Sequence, residues 1–408
     1  MVDLGVVMPV YKQKPAFLKA AMESVLGQTF QKFKLIIVID GAPEMEPLIR
    51  RLIQGDNRVR VVSHTFNQGV ATALNTGFAQ LYGMSGIQYL TWVSSDNVYY
   101  PRFLETLRNA LAKGPSELGL VYSSFQSIDN EGRPLNSEQQ LAIQRQYQSQ
   151  RKEKLLDTSI VGVSFMYKAA CAKKIDGYGN ESVEDYDYWL RLTEHCEMKY
   201  IPVELMDYRV NSTFSVSAAL QDTARHRKWR YAYHLARHQA RMRRGISPSI
   251  TVLLPLKESG VKAIERIENL YEQTFSNYTC FIIDLSADMR VTADLSTISH
   301  PSTGFKWFPH VDEVTALFHA VQMVQTKYCF VPGDLLFKDV MDLTIMHEQL
   351  EKADPKVMSN YYTHDHTDIG YRFVSTYSPK EGLHDELFRT PSLVDYLKIH
   401  YEAARGLG

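Results

Sequence analysis

The 408-residue chain has little cysteine, no long apolar run and a formal net charge of only −1. Its four cysteines, Cys171, Cys196, Cys280 and Cys329, form no C-x-x-C pair, which argues against structural zinc and against a disulfide framework. No apolar run reaches the roughly 18 residues of a membrane-spanning helix. Met1 to Pro9 carries no basic leader and runs straight into a strand-like stretch, so a soluble, cytoplasmic protein is expected. The near-zero charge excludes a polycation seeking nucleic acid. Tyr11-Lys12-Gln13-Lys14-Pro15 lacks the glycines of a phosphate loop, which argues against a nucleotidyltransferase.

With 45% apolar and 22% charged residues, ordinary cores can form, and the length corresponds to two or three domains of roughly 150 residues each. Leu4–Val10 is a short apolar run. Pro15–Leu26 spaces Phe17, Leu18, Ala21, Met22, Val25 and Leu26 as a helix does. Phe33–Ile39 reads as a buried parallel strand ending at Asp40-Gly41. Glu44–Ile53 reads as a helix, Val59–Val62 as a strand, Gly69–Tyr82 as a helix and Tyr89–Val93 as a strand ending in Ser94-Ser95-Asp96-Asn97. This is the β-α-β-α-β rhythm of an α/β sheet, with polar groups just past the strands' carboxyl ends, where such sheets bind ligands. Farther on, Glu131–Lys154 is a polar surface loop or exposed helix, Ser159–Tyr167 is strand-like, and Val183–Glu194 is a helix opening on two acids.

The small net charge conceals an asymmetry. Residues 222–244 hold eight Lys or Arg against Asp222 alone, a balance of +7 that leaves the rest of the chain at −8. This basic helix reads as a solvated connector, as a contact for an acidic acceptor or membrane surface, or, without any accompanying recognition module, least well as a nucleic-acid binder. The chain also repeats itself. Glu23 to Phe30, carrying Gln28-Thr29-Phe30, with the strand to Asp40, matches Glu268 to Phe275, carrying Gln273-Thr274-Phe275, with the strand to Asp284. Tyr89–Phe103 can be laid on Tyr328–Met341, which sets Asp96 over Asp334. The second copy has Val331-Pro332-Gly333 where the first has two serines and has no counterpart of Glu184-Asp185, so it is expected to be non-catalytic.

The motifs M-P-V-Y, S-V-L-G-Q-T-F, F-K-L-I-I-V-I-D-G, N-Q-G-V-A-T-A-L-N-T-G, Y-L-T-W-V-S-S-D-N, V-E-D-Y-D-Y-W-L-R-L and Y-R-V-N-S-T-F-S-V-S follow one another over residues 4 to about 217. In this order they resemble the GT-A glycosyltransferases of family 2, inverting enzymes that use nucleotide-diphosphate sugars. The resemblance implies a GT-A catalytic domain (a Rossmann-like mixed sheet with flanking helices) at 1–217; the charge pattern then gives a basic connecting helix at 218–245, and the internal repeat a degenerate GT-A-like α/β module at 246–408. It implies that Pro9, Val10 and Tyr11 line a nucleotide pocket, that Asp40 contacts base or ribose, and that Asn67 and Gly69 flank the nucleotide. Ser95 and Asp96 would meet the sugar and diphosphate, with Asp96 on Mn²⁺ or Mg²⁺, and Asp185 would be the catalytic base. The implied donor is a UDP-sugar or related nucleotide sugar. The implied acceptor is a glycan, a lipid-linked sugar or a protein, in surface polysaccharide synthesis, with peripheral contact at the inner membrane surface through the basic helix and a homo-oligomeric assembly as further expectations.

Several positions depart from the family pattern. Its D-x-D reads Ser94-Ser95-Asp96, its strand-two acid pair reads Ile39-Asp40, an Arg common before Asn75 is Leu74, and the His of Y-R-x-H is Asn211, a weaker metal ligand. Plainer readings stand beside these roles. Asp40 can cap the turn at Gly41, and Asp185 can be a helix-start acid favoured by the dipole, with Glu184 competing for the base role. Trp189 and Leu192 read as core, Arg191 as an ion-pair partner, and His364 and His366 as an H-x-H pair with poor ligand context. A nucleotide-sugar-binding scaffold without turnover is the alternative function, against which the intact Asp185 argues.

Overall fold

The computed structural model describes residues 2–180, 182–210, 222–363, 366–373 and 383–404. The chain divides into two compact units, residues 1–236 and 237–408. The first contains strands β1 (Leu4–Val10), β2 (Phe33–Asp40), β3 (Val59–His64), β4 (Tyr89–Trp92), β5 (Val98–Tyr99), β6 (Leu118–Ile128), β7 (Phe165–Lys168) and β8 (Glu197–Arg209). Its helices are α1 (Pro15–Leu26), α2 (Glu46–Ile53), α3 (Val70–Tyr82), α4 (Phe103–Lys113), α5 (Glu138–Gln148), α6 (Ala169–Ala172) and α7 (Glu184–Leu192). The long basic helix α8 (Thr223–Arg243) carries the boundary between the units.

The eight strands lie in the order β3-β2-β1-β4-β7-β6-β8-β5. The first four are parallel, and β7 is antiparallel to both β4 and β6. Strands β1 and β2 read as unbroken apolar runs because helices cover both faces of the sheet, and Val6, Val7, Met8, Ile36, Ile37 and Val38 are all fully buried. Chain order reverses between β1 and β4, and the crevice at that switch point is where an open α/β sheet receives its ligand. Helix α3 lies close against this point because Gly77 has no side chain. A Cβ there would come 2.4 Å from Val7 Cγ1 and 3.3 Å from Val38 Cγ2.

Local chemistry explains where the elements differ from the sequence expectation. The segment from Glu44 opens as a 3₁₀ turn (Pro43–Met45), and α2 begins only at Glu46, with Pro47 in its first turn, where a missing N–H is tolerated. Of the strand-like stretch 159–167 only Phe165 onward pairs, because Gly162 at φ +73° breaks the extended chain. Within the polar stretch 131–154, α5 forms behind a capping box in which Ser137 and Gln140 satisfy each other's backbone.

The second unit contains β9 (Ile250–Leu256), β10 (Tyr278–Asp284), β11 (Thr303–Trp307), β12 (Tyr328–Val331), β13 (Val357–Tyr362), β14 (Ile369–Phe373) and β15 (Glu386–Arg389). Its helices are α9 (Val261–Tyr271), α10 (Arg290–Leu295), α11 (Glu313–Val321), α12 (Asp342–Lys352) and α13 (Thr390–Ala404). The sheet order is β11-β10-β9-β12-β15-β13-β14, so its first six positions repeat those of the first sheet, antiparallel fifth strand included. The Gln-Thr-Phe repeat has one structural job in both. Buried Gln28 donates to Tyr100 O (2.8 Å) and accepts from Leu104 N (2.9 Å), and buried Gln273 donates to Asp339 O (3.0 Å) and accepts from Leu343 N (3.0 Å). Each pins the entry to a later helix, α4 or α12, to the end of the first helix of its unit. The copies diverge at the far edge, where β14 is an antiparallel partner of β13 whereas β8 runs parallel to β6.

Helix α8 is less solvated than its composition implies. Arg230, His234, Arg237 and Arg241 are buried, while Arg225, Lys228 and Arg243 are exposed. In the second unit Arg237 donates to Thr274 O and Arg241 to Ser276 Oγ (2.9 Å), so part of the positive charge serves the interior. The four cysteines are free and buried. Among the described residues no helix is long and apolar enough to cross a membrane.

Candidate active site

The carboxyl ends of β1, β2 and β4, the loop before α3 and the start of α7 surround a cleft of about 380 Å³ in the first unit. Pro9, Val10, Tyr11, Asp40, Asn67, Ser95, Asp96 and Asp185 line it together, although they are spread over more than 170 residues of sequence. Gly69 is not part of the wall, but its N–H donates to Asp40 Oδ2 (3.0 Å). Asn211, His364 and residues 218–221 of the expected connector lie outside the described residues.

Asp40 is 3% exposed and already heavily engaged. Its Oδ1 accepts from Gln68 N (2.9 Å) and faces His64 Nδ1 at 2.7 Å, and its Oδ2 accepts from Gly69 N. His64 Nε2 lies 3.0 Å from Thr76 Oγ1, so in the neutral imidazole Nδ1–H donates to Asp40 and Thr76 donates to Nε2. A carboxylate offers about four acceptor sites, so Asp40 both caps the entry to α3 and keeps room for one ligand donor. Gly41 permits this loop to close. It sits at φ +66°, and a Cβ there would lie 2.1 Å from Asn67 N. Gly41→Ala is expected to cost more than ~2 kcal/mol through strain and backbone displacement, measured as a lower midpoint in urea unfolding.

Asp96 stands alone as the carboxylate beyond β4. Ser94 Oγ donates to its Oδ1 (2.6 Å), and Gln13 Nε2 approaches Ser95 Oγ at 3.5 Å. Among the described residues no group of three or more His, Cys, Asp or Glu side chains gathers as a metal site.

Asp185 occupies the first turn of α7, preceded by Val183 and flanked by Glu184. Trp92 Nε1–H reaches it from the end of β4, donating to Oδ1 at 3.0 Å. Burial pushes the Asp185 carboxyl well above the usual carboxylate range, and the Glu184 charge adds to the rise, while the Trp92 bond opposes it. The helix dipole favours a negative charge at this end by only about 0.3–1 kcal/mol, which is too little to reverse desolvation. The neighbours fall into structural roles. Asp187 pairs with Arg191 at 2.8 Å, and Trp189 and Leu192 are fully buried in the core.

Sequence reasoning singled out neither Trp92 nor Arg209, and both line the cleft. Trp92 was readable as the last residue of an apolar strand. The signal for Arg209 was its place in Tyr208-Arg209, within a motif read only for its fourth position.

Comparison with known proteins adds three findings. The family described as Glycosyl transferase family 2 matches residues 5–176. An uncharacterized glycosyltransferase of Rickettsia felis is 22% identical over 393 residues, covering 84% of this chain and 63% of that protein. Glycosyltransferase GlyG of Streptococcus pneumoniae is 32% identical over 130 residues, covering 31% of this chain and 42% of that protein. The chain thus spans less than two thirds of either relative. Among solved structures, S. aureus TarS 1–349 in complex with UDP-GlcNAc superposes with a TM-score of 0.46 at 12% identity, over 57% of this chain and 66% of that one. The mannosyltransferase PcManGT of Pyrobaculum calidifontis, in complex with GDP-Man and Mn²⁺, gives 0.42 at 15% identity, over 59% and 64%.

Proposed function

We propose that this chain, whose residues 5–176 belong to glycosyl transferase family 2, moves a sugar from a nucleotide-diphosphate sugar to an acceptor hydroxyl with inversion at the anomeric carbon. The observation that carries this reading is Asp185, a carboxylate of raised pKa fixed by Trp92 in the same cleft as Asp40 and Asp96. An acceptor hydroxyl is a weak nucleophile and needs a base as it attacks. Asp185 takes that proton. Asp40 and Asn67, with Pro9 to Tyr11, hold the nucleotide, and Ser95 and Asp96 face the diphosphate. A single base set opposite the leaving group gives direct displacement, hence inversion.

The oxygen-only donors at Asp96 and Ser94 suit Mg²⁺ or Mn²⁺ held by one carboxylate and the donor's phosphates. Such an ion would offset the charge that develops on the leaving diphosphate. A UDP-sugar is the first donor to try, and a glycan, lipid-linked sugar or protein in surface polysaccharide synthesis the acceptor class. In this reading residues 1–217 are catalytic, 218–245 connect, and 246–408 are a non-catalytic module. The second unit supports that division. Asp284 spends its carboxylate on Ser286 and Thr292, and the Asp334 side chain is 97% exposed.

A thermal-shift screen of nucleotide sugars, with and without Mn²⁺, tests the donor assignment. A stabilising donor is expected, and Asp96→Ala is expected to abolish the additional shift that Mn²⁺ provides. A shift indifferent to both metal and Asp96 would refute the metal-bridged donor. The pH profile tests the base. The acid limb of kcat/KM is expected above the ordinary carboxylate range, because Asp185 must be ionised and its pKa is raised. Glu184→Gln removes a neighbouring negative charge and is expected to move that limb to lower pH.

A further inference from the structure

Strand β6 lies between β7 and β8 in the first sheet, and Gly119 is its second residue. A Cβ at Gly119 would lie 2.4 Å from Cys196 Cβ and 2.6 Å from the sulfur of each of Cys171 and Cys196. The glycine leaves a gap that the two sulfurs fill together. Cys171 belongs to α6, just past β7, and Cys196 sits between α7 and β8. The chain between them carries α7 with Asp185. The two thiols hydrogen-bond to each other, and the Cys196 thiol has a second acceptor in Leu192 O at 3.4 Å.

A buried free cysteine is ordinarily a packing choice, its thiol acting as a small apolar group. Cys280 and Cys329 fit that description, since both are fully buried and burial pushes their thiols up. Cys171 and Cys196 differ. They face each other, they retain 8% and 7% exposure, and their protons are unevenly held. The hydrogen bond from Cys196, aided by the Lys174 and Lys168 ammonium groups, holds the Cys171 thiol below its ordinary value against desolvation. The same bond, with burial, raises Cys196. The pair is a thiolate beside a thiol, the reactive form next to a group that can resolve it.

We propose that Cys171 and Cys196 form a peroxide-reactive dithiol site that closes to a disulfide while Cys280 and Cys329 stay reduced. The Cys171 sulfur attacks one oxygen of hydrogen peroxide, the O–O bond breaks, and the departing hydroxide takes up a proton as water, leaving a sulfenic acid. The Cys196 sulfur then attacks the Cys171 sulfur, its proton leaves with the displaced hydroxide as a second water, and the S–S bond forms. The two thiols lose two electrons and the peroxide gains them. The proposal does not depend on the donor reading above.

In the test, the reduced full chain is treated with hydrogen peroxide under native conditions, quenched with catalase, unfolded in an alkylating reagent and mapped by peptide mass spectrometry. The expected result is a fall from four free thiols to two, with a cross-link between Cys171 and Cys196 of one chain that dithiothreitol reverses. Cys171 is expected to be lost at least about tenfold faster than Cys280 or Cys329, as thiolate character and exposure dictate. In Cys196→Ser the sulfenic acid should persist at Cys171 and be captured by dimedone. Cys171→Ser should slow the loss of Cys196 by at least about tenfold. The wild-type peptide map decides the matter even where a variant fails to fold. Retention of all four thiols, loss spread evenly over the four cysteines, or a Cys171 sulfinic acid in place of the cross-link would overturn the proposal.

Discussion

Asp185→Asn is expected to lower kcat by about a thousandfold, within the range for loss of a general base, with the donor KM nearly unchanged. The asparagine amide oxygen can still accept from Trp92 Nε1–H, so the side chain stays in place and only proton uptake is lost. Stability should move the other way. Burial holds the folded-state pKa of Asp185 well above the ordinary carboxylate value. A carboxyl of that kind contributes stability below its unfolded pKa, and that contribution is lost as pH rises through the raised folded value. At neutral pH the wild type therefore bears the cost of a buried carboxylate that asparagine does not have. Thermal unfolding should show Asp185→Asn equal to or more stable than wild type at pH 7–8, with the gain absent below about pH 4. Turnover near the wild-type rate would reassign Asp185 as a helix-start acid and leave Glu184 as the candidate base.

Asp40→Ala is expected to cost about 2–4 kcal/mol of stability and to weaken donor binding more than tenfold. Three donors lose their acceptor at once: His64 Nδ1–H, Gln68 N–H and Gly69 N–H. The last two set the entry to α3, so the loop that carries Asn67 loosens with them. Asp40→Asn distinguishes charge from shape. Its amide nitrogen must face a donor, either Gly69 N–H or the pair His64 and Gln68, so it should not rescue the loop. Equilibrium urea unfolding and donor calorimetry check both variants. An Asp40→Asn protein with wild-type stability and donor affinity would show that the carboxylate's hydrogen bonds are incidental.

The sheet was legible because its signals are local. Leu4–Val10 and Phe33–Asp40 are apolar on both faces, and Pro15 marks the start of α1, so the ends agree closely with expectation. The repeat was legible because Gln28 and Gln273 make the same bonds and so keep the same neighbours in sequence. Boundaries failed where one residue reset the backbone, as Gly162 did before β7. At the site, acids at the ends of β2 and β4 and at the start of a helix marked Asp40, Asp96 and Asp185 as candidates, and the structure sets all three on one cleft. Their partners were not legible, because His64, Trp92 and Arg209 acquire their roles only through pairing across the sheet and between helices. The charge of residues 222–244 was visible in composition, but burial of Arg230, His234, Arg237 and Arg241 is a property of packing.

The most direct measurement is nucleoside-diphosphate release from a panel of UDP-, GDP- and dTDP-sugars by the full chain, alongside Asp185→Asn, with the anomeric configuration of any product read by NMR. The wild type is expected to release the nucleotide from at least one donor and give an inverted product, and Asp185→Asn to lose about a thousandfold of that release. Wild-type inactivity and absence of binding across the panel, or equal turnover by Asp185→Asn, would contradict the proposed transfer.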